Sequence, residues 1–249
     1  MNRNELVEKA VKLLINVPPS EVDEVLAEIR QELVGKYKVY TAEELLVIAN
    51  EQIERLRNRL TKLEESTEIE PQQANAILAL LTTKRDEAIG KVANVPIISY
   101  HLPLLAAINM GNLNASIQMS MVVHGKKTGT NYLDDGKITD EVDLPKGVAW
   151  WAIDVEDGEQ FLTDETSPQD EEAIIAEQGR LCAVATEAIA LGVHTNVLSW
   201  HNIDALGSRF RDAGRVPSLC RNNSGWEMDW RGRGVASAKW GSASCRSRV

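Results

Sequence analysis

The sequence predicts an α+β protein: a helical N-terminal region, read as a helix hairpin or bundle, followed by a small mixed C-terminal domain with antiparallel strands. Three observations predict it. Over roughly the first ninety residues, apolar side chains recur at helical spacing between caps and prolines. Beyond them, short apolar runs alternate with turns rich in Gly, Asp and Asn. All six tryptophans stand at or after Trp150. These shifts divide the chain into a helical region 1–95, a strand-bearing acidic connecting segment 96–148 and a C-terminal mixed domain 149–249.

The elements follow in order. Residues 4–17 carry Leu6, Val7, Ala10, Val11, Leu13 and Leu14 on one helical side, and Pro18-Pro19 stops them. Ser20 with Asp23 caps a second helix that Gly35 ends. Thr41 with Glu44 repeats the device, and the helix it opens carries a seam of Leu46, Ala49, Ile53, Leu56, Leu60 and Leu63. Its alternating steps of three and four are those of a helix packed along a near-parallel or antiparallel neighbour. Pro71 starts that neighbour, with Ala74, Ile77, Leu78, Leu81, Ala88 and Ile89 on one side and Gly90 at its end. Two readings of the hairpin stand, an ordinary bundle and a surface for self-association.

From Val92 the pattern changes. Residues 104–110 have room for one or two helical turns after Pro103, whereas 113–123 alternate apolar and uncharged polar residues and predict a strand. Residues 148–155, VAWWAIDV, predict a second strand, turned by Glu156-Asp157-Gly158 towards Phe161 and Leu162. Ser167, Pro168 and Asp170 open a helix that Gly179 ends, and a shorter one around 186–191 closes at Gly192. Short strands are expected around 202–210, 216–221 and 226–231, with Asn222-Asn223-Ser224-Gly225 as a hairpin turn.

A series of motifs in the last hundred residues has a wider likeness. Val155-Glu156-Asp157-Gly158, the Ser-Pro-started helix, Gly179-Arg180, Glu187-Ala188-Ile189-Ala190-Leu191, Leu206-Gly207-Ser208-Arg209, Arg215-Val216-Pro217-Ser218-Leu219 and Gly241-Ser242-Ala243-Ser244-Cys245 form an ordered set. Over 149–249 it resembles a family of proteins, chiefly actinobacterial, defined only as a domain of unknown function. The resemblance implies a domain boundary and no activity. Members of that family tend to have Cys where Phe210 stands and a Gly-Trp-Cys-Trp run near Gly225-Trp226-Glu227-Met228, so this chain departs from them at any cysteine chemistry.

Charge is uneven along the chain, whose net value is −10. Residues 92–175 hold 4 basic and 14 acidic side chains, while 176–249 hold 10 and 6. An acidic middle thus precedes a basic end. Three cysteines without C-x-x-C spacing fit a reducing compartment, and no apolar run approaches a membrane span, so a cytoplasmic protein with no membrane partner is expected; the resemblance implies a bacterial type.

Most catalytic signatures are missing. Gly136 as the sixth residue of a calcium loop places Leu133 and Val142 at liganding positions, no Cys or His pair has zinc spacing, and Gly232-Arg233-Gly234 lacks the lysine of a phosphate loop. No metal and no cofactor is expected. Whether the chain is an enzyme stays open: Cys182 or Cys245 with His194 or His201 as base is the hydrolase-type alternative. Arginines interleaved with tryptophans leave binding as the preferred class. Arg209 and Arg215 are the expected anion holders, and Trp226, Trp230 and Trp240 the expected stacking surfaces. The same residues in alternating strands could equally form a small sheet with Trp inside and Arg outside. The reading preferred here is a protein-interaction module in which the basic end docks an acidic protein partner and the helical hairpin forms a homo-oligomer. Binding of nucleic acid or a nucleotide by the Arg/Trp surface is the alternative.

Overall fold

A computed structural model describes residues 38–94, 96–97, 102–109, 113–124, 127–142, 144, 147–152, 166–199, 201–221, 225–236, 240–245 and 247–249. The helices expected over 4–17 and from Ser20 to Gly35, the 156–158 turn and the 222–224 part of the last hairpin turn lie outside these residues. The fold is α+β, with a helix hairpin before a mixed sheet.

After β1 (Lys38–Val39), helix α1 (Ala42–Glu65) starts where Thr41 and Glu44 form the reciprocal capping box. Helix α2 (Pro71–Val92) begins with proline at its first turn, where a missing N–H costs nothing. The two helices pack against one another through Ala49, Ile53, Leu56, Leu60 and Leu63 on α1 and Ala74, Ile77, Leu78 and Leu81 on α2, all buried. Gly90 does not end α2, which continues to Val92.

The hairpin lies on a three-stranded antiparallel sheet in the order β16-β8-β3. Here β3 is Leu104–Asn109, β8 is Gly147–Ala152 and β16 is Ser247–Arg248, whereas β2 (Pro96–Ile97) pairs with β1. The Trp150 side chain of β8 is fully buried, and its indole N–H donates to the Leu81 carbonyl of α2 at 3.1 Å. Residues 104–109 are therefore a strand and not helical turns. Leu104, Leu105, Ala106, Ala107 and Ile108 are buried on both faces, a continuous apolar run that periodicity alone cannot assign.

A second expectation is also overturned. Residues 113–123 do not form a strand, because Ala115–Ser120 is helix α3, capped by the Asn114 side chain accepting from Ile117 N. Its buried positions Ala115, Gln118 and Met119 follow helical spacing, with Gln118 Nε2 donating to the Leu113 carbonyl at 2.7 Å. The apolar alternation there was secondary to that period.

Short strands β4 (Val123–His124), β5 (Lys127–Thr128), β6 (Thr130–Asn131) and β7 (Ile138–Asp140) then lead to β8. Helix α4 (Pro168–Glu177) starts at Ser167, whose hydroxyl accepts from Asp170 N, and ends before Gly179 at φ +66°, as the sequence predicts. After β9 (Leu181–Cys182), α5 (Ala185–His194) runs past Gly192. That glycine is set by packing: a Cβ on it would lie 2.9 Å from Leu198 Cδ1.

The remaining strands are β10 (Asn202–Asp204), β11 (Ser208–Phe210), β12 (Arg215–Arg221), β13 (Trp226–Gly232), β14 (Trp240–Ser242) and β15 (Ser244–Cys245). Five form a mixed sheet, β14-β10-β12-β13-β6, while β11 pairs with β7 and β15 with β9. A contiguous apolar core includes Tyr40 and Leu45, the hairpin, β3, α5, Leu219 and Met228 of the large sheet, and Val249. A separate small cluster joins Ile175 of α4 to Leu206 and Val216, with Cys182 packed against it.

Candidate functional site

Strand register decides what each side chain of the five-stranded sheet can reach. Paired residues share a face and neighbours along a strand alternate. The pairs Ile203↔Leu219 and Leu219↔Met228 put these three on one face, with Trp226, Trp230, Arg215 and Arg221. Asp204↔Ser218, Asp204↔Ser242 and Val216↔Arg231 put the polar residues on the other, with Trp240. The first face joins the main core, and the second is covered in part by α4.

The five residues singled out by the sequence divide accordingly. Trp226 is buried in the core, with the Arg221 guanidinium 5.5 Å from its ring centroid. Trp240 lies on the polar face under Arg231, at 5.2 Å. Arg209 is buried on β11; Nη1 donates to the Leu206 and Ser208 carbonyls, and Nη2 meets Glu141 at 2.7 Å and Glu172 at 2.9 Å. Its charge is thus met within the chain. Arg215 and Trp230 alone come together: the guanidinium stands 4.5 Å over a ring that is 46% exposed.

Trp230 has an apolar neighbour. A Cβ on Gly232, two residues along the same face and opposite Arg215, would lie 3.2 Å from Val235 Cγ2. Val235, 56% exposed, therefore sits over the glycine, whose strand partner is Arg215. Arg215 keeps only a loose contact to Asp212, at 3.9 Å. The result is an exposed indole and valine around a cation whose donors are largely uncommitted.

The polar face holds residues that the sequence did not mark. Asp204 is fully buried; it accepts from Ser218 Oγ at 2.5 Å and pairs with Arg231 Nη1 at 2.6 Å. Glu171 of α4 is also fully buried and accepts from Ser242 Oγ. Burial pushes the Glu171 carboxyl up to about 8, with the Ser242 hydrogen bond opposing and the nearby Asp204 charge adding to the rise. Burial raises Asp204 as well, against its bonds to Ser218 and Arg231. Further along, Glu187 caps α5 through Val184 N and receives Arg248 at 2.7 Å, and burial lifts it to about 7.

For Cys182 the arrangement gives cysteine–histidine chemistry little support, and the Cys245 side chain lies outside the described residues. Burial, then Glu172, pushes the Cys182 thiol up to about 11, and burial, then Glu227, pushes Cys220 to about 12. An activated nucleophile needs a shift in the opposite direction. Burial also lowers His194 to about 3 and His201 to about 4, so both rings are neutral. Among the described residues no three His, Cys, Asp or Glu side chains are placed to hold a metal ion, and no helix is long and apolar enough to cross a membrane. The chain matches no protein-family model, no curated protein and no solved structure.

Proposed function

We propose that this protein is an interaction module whose C-terminal part docks an acidic protein partner through Arg215, Trp230 and Val235. The observation that carries this reading is the exposed Trp230 ring beneath the Arg215 guanidinium. An indole held in place by a stacked cation loses little freedom on binding, and Trp and Arg are the residues that most often dominate an interface. A guanidinium placed over a ring keeps N–H groups for a partner, and they fit a carboxylate bidentately. Val235 supplies apolar area beside the charge.

Nucleic-acid binding by a stacking platform is less well supported. Such platforms set several rings along one strand, and here Trp226 is buried and Trp240 faces away from Trp230. Self-association through the hairpin seam also loses support, because the seam is covered by α2 and β3 of the same chain. Cys182 and Cys220 are free thiols, which agrees with a cytoplasmic setting.

The test is fluorescence anisotropy with a labelled acidic peptide rich in Glu and Phe, run beside a labelled single-stranded oligonucleotide across a salt series. Docking of the peptide that weakens tenfold or more in both Arg215→Ala and Trp230→Ala is the expected result. Peptide binding that is unchanged in both variants overturns the proposal, as does oligonucleotide binding that alone depends on these residues.

A further inference from the structure

We propose that helix α4 is a proton-held flap, docked on the polar face of the five-stranded sheet while the Glu171 carboxyl carries its proton and released from that face when the carboxyl ionises. The proposal concerns the face opposite Trp230 and is independent of the docking reading.

The geometry around Glu171 leaves no place for a second negative charge. Its Oε2 is bound by Ser242 Oγ of β14, and its Oε1 is buried with no hydrogen-bond partner. Asp204 of β10 faces it and is itself a fully buried carboxylate. Among the described residues the cation that faces both is Arg231 of β13, which is committed to Asp204 at 2.6 Å and to the Val235 carbonyl. The next residue of α4, Glu172, pairs with Arg209 of β11 and Arg233. Cys182 of β9 is held as a neutral thiol, its titration raised by burial and by Glu172. An ionised Glu171 would therefore be a buried carboxylate beside a buried carboxylate, without a counter-ion of its own.

Apart from Glu171 and the Glu172 ion pairs, the helix is held outside the main core. Its buried apolar residues are Pro168 and Ile175, and Ile175 packs with Leu206 and Val216 in a cluster apart from the main core. The helix is ten residues long. Undocking it uncovers this small cluster, parts Glu172 from Arg209 and Arg233, and returns Glu171 to water, whereas the main core keeps the rest of the fold intact. Burial sets the ionisation of Glu171 at about 8, close to neutral conditions. A docked state that holds this proton loses ground against an undocked state that releases it at every pH between the ordinary glutamate range and that value.

Hydrogen exchange of the full chain between pH 6 and 9.5, with rates divided by the intrinsic exchange rate at each pH, tests the flap. The opening constant of the α4 amides is expected to rise about tenfold per pH unit up to about pH 8 and then level off. Helix α1, part of the main core, is expected to stay better protected than α4 at every pH, because its amides open only with the whole fold. Glu171→Gln, an uncharged isostere of the protonated acid, is expected to remove the dependence, and Ser242→Ala, which removes the hydroxyl donor, to move the plateau to higher pH. Wild-type pH dependence retained in Glu171→Gln, or α4 amides that open only together with those of α1, overturns the proposal.

Discussion

Gln52 and Ala106 are joined as two adjacent strands would be. Ala106 N donates to Gln52 Oε1 at 2.9 Å while Gln52 Nε2 donates to the Leu104 carbonyl at 2.7 Å. The side-chain amide of α1 thus stands in for a peptide group along the outer edge of β3, and His194 of α5 continues the edge, its Nε2 3.0 Å from the Ala106 carbonyl. An edge strand with unpaired backbone groups invites other chains to pair with it; here two side chains close it.

Gln52→Leu is expected to keep the packing volume and to strand a buried N–H and a buried carbonyl. At about 1–3 kcal/mol for each unsatisfied group, a loss of about 2–4 kcal/mol follows, after some relief by relaxation. The urea midpoint measures it. A variant as stable as the parent would mean that the edge finds other partners.

The Asp204–Arg231 pair behaves differently from the surface pairs, such as Arg57 with Glu54, because both members are buried. Arg231→Met is expected to cost about 3–5 kcal/mol, since it leaves a buried carboxylate uncompensated. Adding Asp204→Asn is expected to recover much of that loss. A double-mutant cycle by chemical denaturation reads both numbers, and a second substitution that recovers nothing would place the cost in packing instead.

Two glycines make opposite predictions for the same substitution. A Cβ on Gly207 would lie 2.8 Å from the Cys182 carbonyl oxygen and 2.9 Å from that of Ala183, both backbone atoms that cannot swing aside. Gly207→Ala is therefore expected to cost about 1–3 kcal/mol. A Cβ on Gly90, inside α2, would meet nothing within 4 Å. There the alanine is expected to add about 0.5–1 kcal/mol through helix propensity. Thermal melts of the two variants should move in opposite directions.

What could be read from the sequence was what is local. The Thr41–Glu44 box, Pro71, and the Ser167 cap with Asp170 each act within one turn, and all three stand as expected. The hairpin of β12 and β13 was legible for the same reason. Residues 104–109 and 113–123 were misassigned because a strand buried on both faces and a six-residue helix leave weak periodicity. The ionic layer was invisible. Glu171 meets Ser242, Arg231 meets Asp204 and Ala106 meets Gln52 across 71, 27 and 54 residues, and no spacing reports contacts of that range. Arginines and tryptophans were conspicuous as residue types, yet their faces were not, because one step along a strand carries a side chain to the other side.

The pH dependence of stability follows from the same buried groups. Glu171 and Glu187, raised by burial to about 8 and about 7, hold protons that the unfolded chain releases above about pH 4.5, so stability falls as pH rises from there to their folded values. Asp140 and Asp204, also raised by burial, add to that fall. His194 and His201, lowered by burial to about 3 and about 4, refuse protons that the unfolded chain binds below about pH 6.5, so stability falls as pH drops from 6.5. Between about pH 4.5 and 6.5 the two glutamates and two histidines oppose one another at about 1.4 kcal/mol per proton per pH unit, and the two raised aspartates tip the balance towards a gentle loss of stability as pH rises. Outside that window one set acts alone. The midpoint of thermal unfolding is therefore expected to peak on the acid side of neutrality and to decline on both flanks. Glu171→Gln with Glu187→Gln should flatten the alkaline flank, and His194→Gln, which keeps an N–H for the Ala106 carbonyl, should make the acid flank shallower. A peak at pH 8 or above in the parent protein would mean that these carboxyls are ionised in the folded state, and would remove the basis for the proton-held helix as well.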